Sequence, residues 1–164
     1  MTIYFYGANI HPYEEWEKRL AALRTLAADR SARLVVRPYD TAEWDASVKG
    51  LEDEPEGGKR CEVCMKLQLS SAAKAARDLG IDRLCTSLTL SPQKHPDMIN
   101  KWGSDAAGEN GLVWIDRVWR KKGGFAFSVS ESRRLGLYRQ CYCGCRYSYR
   151  VVQQIAKKNI SDII

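Results

Sequence analysis

Gly57-Gly58-Lys59-Arg60-Cys61-Glu62-Val63-Cys64 opens the longest helical run in the chain, Cys61 to Leu79, which stops at Gly80. Glycine just past the last periodic residue is the usual helix stop, because it accepts the left-handed backbone found there. A C-x-x-C at a helix start sets its two thiols one turn apart on the same side. The helix N-terminus also favours thiolate, the form that binds metal or attacks sulfur. Upstream, Lys49–Arg60 is polar, acidic and glycine-bearing and keeps no periodicity, so it reads as a surface loop. Far downstream lies a second cluster, Cys141-Tyr142-Cys143-Gly144-Cys145. Its glycine permits the sharp course a C-x-C chelate needs.

Moving outward from Cys61, strand-like and helix-like segments alternate. Thr2–Tyr6 mixes β-branched and aromatic residues and predicts a strand, broken by Gly7–Pro12. Tyr13–Ala28 places Trp16, Leu20, Leu23 and Ala27 at helical spacing, which predicts a core-facing helix. Ala32–Arg37 predicts a second strand, and Thr41 is the expected N-cap of a short helix through Trp44 and Val48. Beyond Gly80, Arg83–Leu90 predicts a third strand, Ser91–Pro96 a turn and Asp97–Asn110 a helix. Leu112–Ile115 predicts a fourth strand, Arg117–Gly124 a basic loop and Phe125–Leu135 a helix ended by Gly136. Val151–Lys158 extends the cysteine-bearing stretch as a short helix. Strands alternating with long helices indicate βαβ units and an α/β class. The expectation is one Rossmann-like three-layer domain over residues 1–164 with a mostly parallel sheet. In such sheets the working site lies at the carboxyl ends of the strands, an edge that would draw the two cysteine clusters together.

Composition narrows the class further. The chain has 164 residues, 45% hydrophobic and 28% charged, normal for a globular domain with its own core. No apolar run approaches the roughly 18 residues of a membrane span, and no charged-then-apolar leader opens the sequence. A cytoplasmic chain is therefore expected, with no membrane partner and its six cysteines reduced and available as ligands. The net charge of +6 suits an anionic partner such as RNA.

Two close thiol pairs can hold zinc, ligate an iron–sulfur cluster or perform dithiol chemistry, and spacing alone does not choose among these. A chain this long needs no structural zinc, and a thioredoxin-like pair leaves the second cluster unexplained, so iron–sulfur ligation is favoured.

Phe5-Tyr6-Gly7-Ala8-Asn9-Ile10-His11-Pro12-Tyr13-Glu14-Glu15 resembles the opening block of the QueH-type epoxyqueuosine reductases. The likeness continues through Tyr39-Asp40, Trp44, the Lys49-Gly50-Leu51-Glu52-Asp53-Glu54-Pro55-Glu56-Gly57-Gly58 block with Cys61 and Cys64, and Leu90-Ser91-Pro92-Gln93-Lys94. It closes at Gly136-Leu137-Tyr138-Arg139-Gln140 with Tyr142-Cys143-Gly144-Cys145. The resemblance implies reduction of the epoxide of epoxyqueuosine in tRNA to give queuosine. It also implies a 4Fe–4S cluster with an additional iron, held by cysteines and a carboxylate, and an unidentified electron donor. By position, Cys61, Cys64, Cys143 and Cys145 are the implied metal ligands. The resemblance implies a further family strand with an adjacent cysteine pair ahead of Thr2-Ile3-Tyr4, which resembles the family's second strand; the expectation is either a start upstream of Met1 or an N-terminally truncated relative. The alternative is an inactive zinc- or RNA-binding remnant of the family.

Remaining residues carry paired readings. Cys85, inside an apolar segment, reads as a small buried hydrophobe, and Cys141 as an incidental thiol or a substitute ligand. His11 either touches substrate or steadies the turn before Pro12. Arg60 and Lys94 suit phosphate contacts, and Trp119-Arg120-Lys121-Lys122-Gly123-Gly124 is the candidate RNA contact. Tyr142 either stacks on a base or packs in the core.

Overall fold

A computed structural model of the chain describes the backbone of residues 1–161 and the side chains of residues 1–153. Its contacts fall into two compact units, Met1–Glu56 with Leu137–Ile164, and Gly57–Gly136.

In the first unit, β1 (Thr2–Phe5) pairs in parallel with β2 (Arg33–Val36), Thr2 opposite Arg33 and Phe5 opposite Val36. Between them runs α1 (Tyr13–Asp29), whose Trp16, Leu20 and Ala27 are buried as their spacing predicts. Phe5, Ile10, Trp16 and Leu20 form the core, with Leu23, Leu34, Val36 and Tyr39 packed against it. The turn after β1 passes so close to α1 that a Cβ on Gly7 (φ +67°) would lie 2.3 Å from Trp16 Nε1. Next comes α2 (Ala42–Ser47), which buries Trp44 completely. Thr41 is not a side-chain cap; its hydroxyl turns to Asp45, and Asp40 Oδ1 accepts from the Ala42 amide instead (2.9 Å). The last helix, α6 (Arg146–Ser161), begins five residues earlier than the apolar pattern suggests, because the aromatic–basic run through Tyr149 is itself helical.

In the second unit, α3 (Lys59–Asp78) and α4 (Pro96–Glu109) pack together over Leu69, Ala73, Ile99, Trp102 and Ala106. Proline suits the first turn of α4, where its missing N–H has no helical partner to lose. The strands here are short: β3 (Arg83–Leu84) pairs in parallel with β4 (Val113–Trp114). Finally α5 (Gly124–Arg134) buries none of its residues. Among the described residues, strand pairing is entirely parallel, as expected for an α/β chain, but it occurs as two separate two-stranded pairs.

The expected third strand, Arg83–Leu90, is cut to two residues and continues as a 3-10 turn, Ser87–Leu90. Its hydroxyls redirect the backbone, as short polar side chains do when they compete with a ladder. Thr86 Oγ1 accepts from the Leu88 amide at 3.2 Å. Thr89, fully buried, donates to the Arg117 carbonyl at 3.0 Å and accepts from the Trp119 amide at 3.2 Å. Cys85 consequently lies on the surface, not in a core strand.

Thr89 thus anchors the basic loop to this turn. Thr89→Val keeps the volume but removes the hydrogen-bond partner of both the Arg117 carbonyl and the Trp119 amide, and should lower unfolding free energy by about 1–3 kcal/mol. Urea denaturation measures it, with Thr89→Ser expected to recover most of the loss; an unchanged midpoint would contradict the anchoring role.

Candidate functional site

Cys61 and Cys64 occupy the first turn and a half of α3, beyond the N-cap Gly58. Cys64 is buried and Cys61 half-buried. Each sulfur accepts an N–H: Gly57 N to Cys61 Sγ, and Gln68 Nε2 to Cys64 Sγ, both 3.2 Å. Gly57 itself is left-handed (φ +90°) and stands just before the N-cap, a conformation glycine adopts at little cost. Arg60, in the same turn, is only 5% exposed, so its side chain faces protein.

The second pair is held differently. Cys143 and Cys145 flank Gly144 (φ +119°), and their thiols hydrogen-bond each other. That mutual bond, together with burial, pushes the Cys145 thiol well above the ordinary range. The Ser148 amide donates to Cys145 Sγ at 3.4 Å, and the Cys143 amide donates to Ser148 Oγ at 3.3 Å. Cys141 is exposed. Around the loop, Arg19 donates through Nη2 to the Tyr142 carbonyl and through Nη1 to the Cys143 carbonyl, each at 3.0 Å. The His11 amide donates to the Gly144 carbonyl at 2.7 Å, and Tyr142 Oη returns a bond to the His11 carbonyl at 2.6 Å. Burial, reinforced by the Glu15 carboxylate, pushes the Tyr142 phenol upward and keeps it a donor. Burial and a 2.7 Å bond to Glu15 Oε2 push Tyr138 up to about 12.

The structure brings Cys61 together with Cys64, and Cys143 together with Cys145. Among the described residues, no group of three or more His, Cys, Asp or Glu side chains stands where it could hold one metal ion. Each pair nevertheless fits a thiophilic metal in donor chemistry, with soft sulfurs at chelating spacing and amide N–H groups aimed at three of them.

The predicted contact residues take several positions. Arg120 is half-buried, with Nη1 donating to the Ser91 carbonyl (2.6 Å) and the Lys94 carbonyl (2.9 Å), so its guanidinium braces the Ser91–Lys94 turn. Lys121 and Lys122 are exposed, and Lys122 adopts φ +51°. At the loop's end a Cβ on Gly124 would lie 1.8 Å from the Trp119 carbonyl oxygen. Phe125 and Phe127 on α5 are 43% and 63% exposed, an apolar surface the sequence did not announce. Neither did it announce Glu15 and Arg19, whose only local signal is their i, i+4 spacing. A separate polar concavity of about 370 Å³ in the second unit is lined by Asp97, Asn100, Lys101, Ser104, Asp105 and Asp116.

Fold and thiols together define an α/β protein that carries paired cysteine donor sets on a helix start and a glycine-centred loop. The sequence matches the family model described as epoxyqueuosine reductase QueH over residues 1–151, and the chain belongs to that family. It is 37% identical over 148 residues to the epoxyqueuosine reductase QueH of Thermotoga maritima, covering 88% of this chain and 77% of that protein. It is 34% identical over 157 residues to the protein of the same name from Streptococcus pyogenes serotype M1, covering 92% of this chain and 62% of that one. A third relative, from Dehalococcoides mccartyi, is 35% identical over 150 residues, covering 90% of this chain and 78% of that protein. The chain therefore spans about three fifths of the Streptococcus relative's length. No helix among the described residues is long and apolar enough to cross a membrane.

His11 sits against Trp44, ring centroids 5.7 Å apart. Burial, helped by the positive charge of Arg146 and opposed by Asp45, holds its imidazole below the usual value of 6.5. A depressed base favours the folded state most fully above pH about 6.5, and that contribution falls as pH drops below it. In an NMR titration the His11 resonance, assigned by His11→Gln, should therefore show its midpoint below 6.5; a midpoint at or above 6.5 would refute the burial argument.

Proposed function

We propose that the protein reduces the epoxide of epoxyqueuosine in tRNA to queuosine, acting in the cytoplasm with an external electron donor. Removing an epoxide oxygen as water consumes two electrons and two protons, so the reaction needs a redox group as well as a substrate site. Cys61, Cys64, Cys143 and Cys145 are the proposed thiolate ligands of a 4Fe–4S cluster and an additional iron. Bound there, iron supplies Lewis acidity toward the epoxide oxygen and a relay for electrons. The observation that carries this reading is family membership combined with retention of both thiol pairs, each at chelating spacing. Parallel pairing in each unit supports the Rossmann-like three-layer architecture expected of the chain.

The chain's own residues have simpler tasks. Gly57, Gln68 and Ser148 place N–H groups on the sulfurs and so moderate their charge. Lys121 and Lys122 offer exposed cations for the phosphate backbone beside Trp119, while Arg120 keeps the loop in place.

Anaerobic reconstitution with iron and sulfide should give a brown protein that binds both and, with a reductant, converts epoxyqueuosine-containing tRNA, read by mass spectrometry of its nucleosides. Serine at Cys61, Cys64, Cys143 or Cys145 should cut iron content and abolish conversion, while Cys85→Ser should leave iron content unchanged. A colourless protein holding one zinc and no iron would support the inactive zinc-binding remnant instead.

For RNA contact, the Lys121→Ala/Lys122→Ala double variant should bind tRNA more weakly, with the slope of log K against log salt shallower by about 1 per lysine. Equal affinity and equal slope would remove the loop from the interface.

A further inference from the structure

We infer that Arg19, oriented by Glu15, is a positioning residue that presets the Cys143-Gly144-Cys145 loop to present both sulfurs to one metal. This rests on the reading of Cys143 and Cys145 as ligands. Three successive carbonyls of the loop are engaged: Tyr142 and Cys143 by the two arms of the Arg19 guanidinium, and Gly144 by the His11 amide. Carbonyls fixed in this way fix the peptide planes between them, and hence the directions of the two Cα–Cβ bonds. The planar fork of arginine is what allows one side chain to hold adjacent carbonyls at equal distances, 3.0 Å each.

The fork itself is immobilised. Arg19 Nε donates to Glu15 Oε1 at 2.8 Å, the two side chains being only 12% and 6% exposed. The other Glu15 oxygen accepts from Tyr138 Oη at 2.7 Å. The guanidinium also lies over the Tyr142 ring, 5.5 Å from its centroid. The loop's glycine is fitted to this arrangement, since a Cβ at Gly144 would fall 2.8 Å from Arg19 Nη1. A chelating loop ordered in advance binds metal without the conformational cost of ordering it at that moment. Residues that orient ligands from behind typically account for 10-fold to 100-fold in metal affinity.

The test is anaerobic titration of the full chain with Co(II) alone, following the thiolate-to-cobalt charge-transfer band and the dissociation constant. Arg19→Gln and Arg19→Lys should both bind Co(II) about 10-fold to 100-fold more weakly and alter the band, with lysine failing to rescue because it keeps the charge but not the fork. Glu15→Gln, which retains an acceptor for Arg19, should lie between these and the parent. Far-UV circular dichroism melts are run on all three. Parent-like affinity and band in Arg19→Lys would overturn the positioning role. So would loss of fold in both Arg19 variants, which would make the residue purely structural. The ligand reading is tested separately: a band unchanged in the Cys143→Ser/Cys145→Ser protein would overturn that reading and the inference with it. A band lost there but unchanged in Arg19→Gln would overturn the inference alone.

Discussion

Glu15 takes a carboxylate into a position only 6% exposed, and much of the first unit is organised to compensate it. A buried charge left without partners costs several kcal/mol, so its neighbours cannot be varied one at a time without consequence. Arg19 neutralises it, Tyr138 satisfies its second oxygen, and the donors left on Arg19 go to main-chain carbonyls of the cysteine loop. These bonds span more than 120 residues of sequence, from α1 to the loop before α6. A single ion pair near the start of the chain therefore decides the course of the backbone near its end.

Much of the fold was readable because it is written locally. The apolar spacing of Trp16, Leu20 and Ala27 defines α1 without reference to anything distant. Gly80, Gly111 and Gly136 end their helices at φ +66°, +70° and +61°, as a residue without Cβ does most easily. What escaped was set by partners far along the chain. Arg83–Leu90 has strand propensity, yet Thr89 bonds to Arg117 and Trp119, 28 and 30 residues away, and that tertiary demand bends the segment. Arg120 looks like an RNA-facing cation beside two lysines, but its side chain is drawn inward by carbonyls 26 and 29 residues earlier.

The candidate site divides along the same line. The thiols were legible because C-x-x-C and C-x-C are short motifs whose geometry follows from one helix turn and one glycine. The groups that aim them were not. Glu15 and Arg19 look like ordinary solvated helix charges until the loop is laid against them. Gln68 contacts sulfur only because it stands one turn beyond Cys64 on the same helix.

Gly124 separates what fixes the basic loop's course from what sets its charge. With the Trp119 carbonyl oxygen 1.8 Å from where any side chain would start, that position tolerates no replacement without moving the backbone. The exposed lysines just before it face no such restriction. Exchanging those lysines therefore alters the loop's charge while its trajectory stays fixed, so charge and course are set by different residues of one short segment.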